Sequence, residues 1–375
     1  THQAAMPTID RITIYAFSIP LTEPFVISRE TVTDAPGIII RIQDSDGVEG
    51  FGECTPFQSI NGEVQTAQYA LAPALARQWI GMDSRNIKAR MHDLDRFVFG
   101  NTNLKSAFDL ALYDLNAKHA GEPLYRYLGG DMTRSLPTDM TIGIDQPEVM
   151  SEQAIRFVQS GFETIKVKLG KSAAEDKVRL DSIRKAVGPE IDLRIDANQG
   201  WSRDDALSVL RHAGELGIGH CEEPIARWDL AGQVYLTANS PVPIMADESL
   251  FTSTDAQRLI DFNACHQFNL KLGKSGGILD GIRILQLATE NNIICQVGCF
   301  SETRFAITAL AHLVYAYPII HYYDMDSPIM LVEDPVMGGI RYTDQGTVEL
   351  DDHEPGIGAS WDPAFLARLP QQVIS

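Results

Sequence analysis

The segment Leu193-Arg194-Ile195-Asp196 is a short apolar run that ends on a carboxylate, and the chain repeats the device in His220-Cys221-Glu222 and Ile244-Met245-Ala246-Asp247. Followed outward, the rhythm places run ends at Ile142, Lys168, Asp196, Glu222, Asp247, Lys271, Gly298 and Asp324, at intervals of 26, 28, 26, 25, 24, 27 and 26 residues. A helix-like segment follows each run. Eight βα units at near-constant spacing predict an α/β chain with a parallel TIM-type barrel. In such a barrel the C-terminal strand ends converge on one mouth, and six of these eight ends are Lys, Asp or Glu.

Asp196, Glu222 and Asp247 are hard oxygen donors on three consecutive strands, a set suited to octahedral Mg2+ with positions left open for substrate. No Cys/His set has zinc-ligand spacing. As ordinary loop residues the three acids would form an uncompensated like-charge cluster, which disfavours that reading. Lys166 and Lys168 share one strand face by alternation, and Lys271 ends a strand beyond the acids. Crowded ammonium groups beside a cation are expected to lower one another's pKa and bring a lysine nearer to neutral. With lysines on both flanks of the metal, one can remove an α-proton and the other return it on the opposite face. That describes a two-base racemase or epimerase acting through an enediolate, with Mg2+ stabilising the charge.

The rest of the chain frames this core. Ile12 to Tyr15 and Gly37 to Ile42, with a turn at Asp44 to Gly47, read as antiparallel strands. Lys105 to His119 reads as a helix with Ala107, Phe108, Ala111, Leu112 and Leu115 on one face and Gly121 as its left-handed stop. With 31 Lys+Arg against 50 Asp+Glu in 375 residues the net charge is −19. That argues against nucleic-acid and anionic-membrane partners. Five cysteines with no CxxC pair fit a reducing compartment, and no apolar leader pattern opens the chain, so a cytoplasmic location is expected. Thr1 to Ala5 precede Met6 and read as leftover or unstructured residues. A homo-oligomer is compatible with the sequence and not decided by it.

The motifs Lys166-Val167-Lys168, Asp196-Ala197-Asn198-Gln199-Gly200-Trp201, Glu222-Glu223-Pro224, Ala246-Asp247-Glu248-Ser249 and Asn269-Leu270-Lys271 running into Lys274-Ser275-Gly276-Gly277 together resemble the enolase superfamily, muconate-lactonising subgroup. Gly50-Phe51-Gly52-Glu53, Ala111 to Leu115, Gly338-Gly339 and Pro355 to Gly358 extend the resemblance over almost the whole chain. It implies a modified (β/α)7β barrel in residues 133–330, an N-terminal α+β capping domain in residues 6–132, and a segment, 331–375, that returns to the cap. Asp324-Met325-Asp326 on the eighth strand resembles the mark of dipeptide epimerases, in which the pair binds the α-ammonium of the N-terminal residue. Thr141 and Ser301 resemble substrate-lining positions. In relatives acting on Ala-Glu an arginine of the N-terminal loop faces the second side chain; here that position falls on Glu30, with Arg29 beside it, pointing to a neutral or cationic second residue, while a one-residue shift of the loop restores Arg29 to the role and keeps Ala-Glu open. The reading is therefore Mg2+-dependent epimerisation of the C-terminal residue of an L,L-dipeptide. Lys168 and Lys271 are the acid/bases, Lys166 assists, Asp196, Glu222 and Asp247 hold the metal, and Asp324 and Asp326 hold the ammonium. The alternatives are an o-succinylbenzoate synthase or muconate cycloisomerase type of reaction at the same site, and a barrel that binds dipeptides without turning them over.

Overall fold

The computed structural model describes residues 6–351 and 353–375; Thr1 to Ala5 lie outside the described residues. The N-terminal region is a four-stranded antiparallel sheet of Ile9–Val26, Thr31–Asp44 and Glu49–Cys54, with Gln371–Ile374 paired to the outer edge of the first strand. The first two strands are long and their ladder breaks between Pro20 and Phe25. Beyond that break they form a hairpin that leaves the sheet and reaches the barrel, where Val26 accepts a backbone bond from Ile144 at 2.8 Å and Ser28 donates to the carbonyl of Asn198 at 3.0 Å.

The helix Thr102–Ala120 crosses this sheet and ends on Gly121 in the left-handed region, as its sequence predicts. Its burial differs from the one-faced expectation, since every residue from Asn103 to Ala117 is buried. Small residues make this possible: a Cβ on Gly52 would lie 1.8 Å from the carbonyl oxygen of Ala107, and one on Gly50 2.1 Å from that of Ala111. The buried polar side chains of the helix fasten other parts of the chain. Asp109 accepts from the N–H groups of Ile278 and Leu279, Asp114 accepts from Phe51 and Ile357, and Asn103 donates to the carbonyls of Thr55 and Gly273.

The barrel strands are Met140–Ile142, Thr164–Lys168, Asp192–Asp196, Cys221–Glu222, Ile244–Ala246, Gln267–Leu270, Cys295–Val297 and Ile320–Tyr323, parallel and in sequence order. Each of the first seven is followed by a helix, from Pro147–Gln159 to Arg304–Ala316, whereas the eighth leads only into a 3-10 turn, Ser327–Met330. The fold is thus a (β/α)7β barrel beside an N-terminal α+β domain. Between the eighth strand and the first, the Asp139 N–H bonds the Tyr323 carbonyl at 3.1 Å and the Met325 N–H bonds Thr138 Oγ1 at 3.1 Å.

Alternation sorts the barrel wall chemically. Ile165, Val167, Leu193 and Ile195 pack outward with Leu180, Ile183, Ala206 and Leu210 of the surrounding helices, while Lys166, Lys168, Asp196 and Glu222 meet inside. The last part of the chain is tied to the barrel by Arg304, whose guanidinium donates to the carbonyls of Gly338 and Ile340 at 2.6 and 2.7 Å. Among the described residues no helix is long and apolar enough to cross a membrane.

Asp109→Ala is expected to leave two buried N–H groups of the helix Ile278–Glu290 without an acceptor and to lower stability by about 1–3 kcal/mol, measured as a reduced urea midpoint at unchanged slope.

Candidate active site

The third and fourth barrel strands end on Asp196 and Glu222, and Asp247 follows the fifth directly. One carboxylate oxygen from each lies within 4.8 Å of the others, and all three side chains are fully buried. Like charges that close are held in place by donors. Glu222 accepts from Gln296 at 2.7 Å, Lys166 at 2.9 Å and Asn269 at 3.1 Å; Asp196 accepts from Lys168 at 2.6 Å; Asp247 accepts from Lys271 at 2.8 Å and Lys274 at 2.5 Å. The donor set, three oxygens and no sulfur, fits a hard dication such as Mg2+.

Burial works against ionisation of Asp196 and Asp247, but the ammonium groups of Lys168 and Lys166, and of Lys271 and Lys274, outweigh it and hold both acids below the usual carboxylate range. Burial also disfavours charge on Lys166 and Lys271, yet Asp324 and Glu222 for the first and Asp247 for the second raise both above the ordinary lysine value. The lowering expected from the sequence presupposes a cation beside the lysines; here the nearest charges to Lys166 and Lys271 are carboxylates, whereas Lys274 is lowered, by burial first and by Lys271 among its neighbours. A dication engaged by the same acids would take up the negative charge that stabilises the ammonium groups.

Lys168 ends the second strand and Lys271 follows the sixth, so the two stand four strands apart in a ring of eight, on opposed walls. Both line one cavity together with Lys166, Asp247, Asp324 and Asp326. Lys166 joins the two groups of acids, bonding Glu222 and, at 3.0 Å, Asp324. Asp326 accepts from the backbone N–H of Thr141 at 2.7 Å. Thr141 and Ser301 also line the cavity, as their sequence positions suggest.

Arg29 and Glu30 do not. The Ile27 N–H bonds the Glu30 carbonyl at 3.0 Å, so the hairpin turns at Ser28-Arg29. At that tip Arg29 is exposed and donates to the carbonyl of Ser59 at 3.2 Å, and Glu30 lines an outer cleft with Asp34 and Gln65 that adjoins the cavity through Phe57 and Ser301. The hairpin residues that face the cavity are Leu21, Phe25 and Ile27, and Phe57, Phe300 and Met330 extend the same apolar wall. A turn only two residues long reverses which side chains point inward, and counting along the sequence could not show where it falls.

Several groups at the site carry no role in the sequence reading. Lys274 is almost wholly buried and also donates to the carbonyls of Asp247 and Asn269. Glu223 accepts from the N–H groups of Asp247 and Ser249, setting the loop after the fifth strand, and Asn198 bridges Lys168 to Glu248 at 3.0 Å on each side. Asn198, Gln199 and Glu223 have φ of 42°, 70° and 33°, so the backbone turns left-handed just after two of the acids. The motifs contain these residues, but their partners lie on other strands. Asp139, beside the aspartate pair, belongs to no motif at all.

Residues 11–129 match the family described as mandelate racemase/muconate lactonizing enzyme, N-terminal domain, and residues 149–365 match enolase C-terminal domain-like proteins. The chain is 41% identical to the D-Ala-D/L-Ala epimerase of Cytophaga hutchinsonii over 98% of its own length and 100% of that protein's. It is 37% identical to the L-Ala-D/L-Glu epimerase of Clostridium acetobutylicum over 93% and 98%. A crystal structure of the dipeptide epimerase from Cytophaga hutchinsonii with Mg and D-Ala-L-Val superposes with a TM-score of 0.96 at 41% identity, covering 98% of this chain and 100% of that one.

Lys274→Met is expected to leave Asp247 short of a buried counter-charge, at a cost of about 3–5 kcal/mol. Equilibrium unfolding with and without Mg2+ checks this; the deficit should narrow when Mg2+ is present, because the ion shares the charge that Lys274 balanced.

Proposed function

The chain belongs to the mandelate racemase/muconate lactonizing family of the enolase superfamily, and from that membership we propose that it is an isomerase, a Mg2+-dependent epimerase that inverts the α-carbon of the C-terminal residue of a dipeptide. The observation that carries the reaction type is the opposition of Lys168 and Lys271 across the barrel, with buried carboxylates between them. Enolase-superfamily sites pair a lysine or histidine base with Mg2+.

Asp196, Glu222 and Asp247 hold the ion. When bound it stabilises the negative charge that develops on the substrate carboxylate as the α-proton leaves. Lys168 and Lys271 each exchange a proton with one face of the α-carbon, one removing it at Nζ and the other returning it from the opposite side. Lys166 stays charged, spanning Glu222 and Asp324, and adds positive potential beside the reacting carboxylate. Asp324 and Asp326 receive the α-ammonium of the first residue, and Thr141 positions Asp326 through its backbone N–H.

The apolar wall built by Phe25, Ile27, Phe57 and Phe300 receives the second side chain, so the preferred substrates are dipeptides with a small or aliphatic second residue. The likeness to a relative solved with D-Ala-L-Val supports this choice. A cycloisomerase or synthase substrate without an ammonium group would give Asp324 and Asp326 no partner, and a barrel that only bound dipeptides would need no opposed lysines. We read residues 6–132 as the cap, 133–330 as the barrel and 331–375 as the segment returning to the cap. The five free cysteines suit a reducing compartment such as the cytoplasm.

Lys168→Ala and Lys271→Ala should each lower epimerisation of L-Ala-L-Val by about 10²–10⁴-fold, followed as deuterium uptake and diastereomer formation in D2O with Mg2+; interconversion at the unmutated rate in either variant would rule out the two-base mechanism. In the unmutated protein, kcat/KM for L-Ala-L-Val should exceed that for L-Ala-L-Glu and L-Ala-L-Lys by about 10-fold or more, since a charged side chain against an apolar wall loses hydration without a partner.

A further inference from the structure

The chain entering the first barrel strand is stitched to the segment that carries the aspartate pair. The Asp139 N–H bonds the Tyr323 carbonyl and Thr138 Oγ1 accepts from the Met325 N–H, each at 3.1 Å, and the Thr141 N–H bonds Asp326 at 2.7 Å. These bonds bracket Asp324 and bring the Asp139 side chain against it. Asp139 is 1% exposed, and no N–H or hydroxyl group of the described residues donates to either of its oxygens. What its carboxyl meets, at hydrogen-bonding contact, is the carboxyl of Asp324. Two carboxyl groups bond to each other only when one of them carries a proton.

The surroundings decide which one. Asp324 accepts from Lys166 at 3.0 Å, and although burial works against its charge, Lys166 and Lys271 outweigh that and hold it below the usual carboxylate range. Asp139 has no cation bonded to it. Burial, then Asp324 and Asp326, push its carboxyl well above the usual range, and the more distant Lys166 and Arg194 do not reverse this.

We propose that Asp139 is a positioning residue of the ammonium subsite, a neutral carboxylic acid whose O–H donates to Asp324 and, together with Lys166, fixes that carboxylate in the orientation that receives the substrate ammonium. Burial can keep an acid neutral so that it serves as a hydrogen-bond donor. A bond from O–H to a carboxylate belongs to the strong, charge-assisted class. The neutral form also adds no third negative charge beside the pair, where burial and then Asp324 already push the Asp326 carboxyl up to about 7. Lys166 and Asp139 thus occupy part of the acceptor capacity of Asp324 and leave the rest to the substrate. The effect on substrate rests on the assignment of Asp324 and Asp326 to the ammonium group; the proton on Asp139 does not.

The test compares Asp139→Asn, which keeps a neutral donor in the same place, with Asp139→Leu, which keeps only the volume. In D2O at neutral pH, the infrared spectrum of the full-length protein minus that of Asp139→Asn is expected to contain the carbonyl stretch of a protonated carboxylic acid. A carboxylate band in its place would overturn the proposal, whether or not Asp139→Leu folds. With L-Ala-L-Val and Mg2+, Asp139→Asn is expected to keep KM within about 3-fold, and Asp139→Leu to raise it about 10-fold or more with kcat changed far less, because the ammonium lies away from the reacting carbon. An Asn variant impaired as much as the Leu variant would show Asp139 acting as an anion and would overturn the neutral-donor role. The infrared reading needs no substrate, so an acid band combined with a KM that neither variant moves would refute the placing of the ammonium at Asp324, and with it the positioning role, while leaving the proton where it is assigned.

Discussion

Three fully buried carboxylates stand within 4.8 Å of one another at the barrel mouth, and their mutual repulsion is the constraint to which the surrounding structure answers. At ~4 Å each like-charge pair costs about 4 kcal/mol even at a surface-like dielectric. Four lysines offset this: Lys166, Lys168, Lys271 and Lys274 each contact at least one of the three acids. Every one of those lysines is in turn held by a neighbouring acid or carbonyl. The arrangement satisfies the charges, and in the proposed reaction a dication held by the same acids would draw the carboxylates away from the lysines.

This polar interior requires the barrel to draw its cohesion from elsewhere. A parallel barrel commonly fills its centre with branched apolar side chains. Here the centre holds charged and amide side chains, so most hydrophobic burial in the barrel lies on the outer faces of the strands and in the helices around them. The helix Thr102–Ala120 extends the same logic into the N-terminal domain, where buried acids serve as caps for segments far away in sequence. Glu53 caps the helix Arg304–Ala316 through Thr303 and Ala306, and burial pushes its carboxyl up to about 7; Asp109, capping Ile278–Glu290, is pushed up to about 8 by the same cause. Both acids join the N-terminal domain to barrel helices that follow strands bearing the site.

The N-terminal hairpin completes the mouth. It leaves its sheet at the ladder break near Pro20 and lays Phe25 and Ile27 over the lysines and aspartates, converting an open ionic surface into a cavity with one apolar wall and one charged floor. A substrate with separate charged and neutral ends matches such a cavity, and the division of the wall sets which end enters where.

The clustering of three acids, the opposition of two lysines and the place of the aspartate pair were legible in the linear sequence because strand alternation and a 26-residue rhythm convert position directly into direction: one residue per strand end, all facing one mouth. Asp139, Lys274 and Glu223 were not legible, because what they touch is fixed by contacts between strands rather than along one. Arg29 and Glu30 stand at a two-residue turn whose position the linear sequence does not show. The shifts of the lysines differ in sign, Lys166 and Lys271 raised and Lys274 lowered, because each depends on its nearest neighbours in space. Period and alternation are properties of the chain and survive in its sequence; a turn tip, a bridging amide and the sign of a buried pKa shift depend on distances that exist only once the chain has folded.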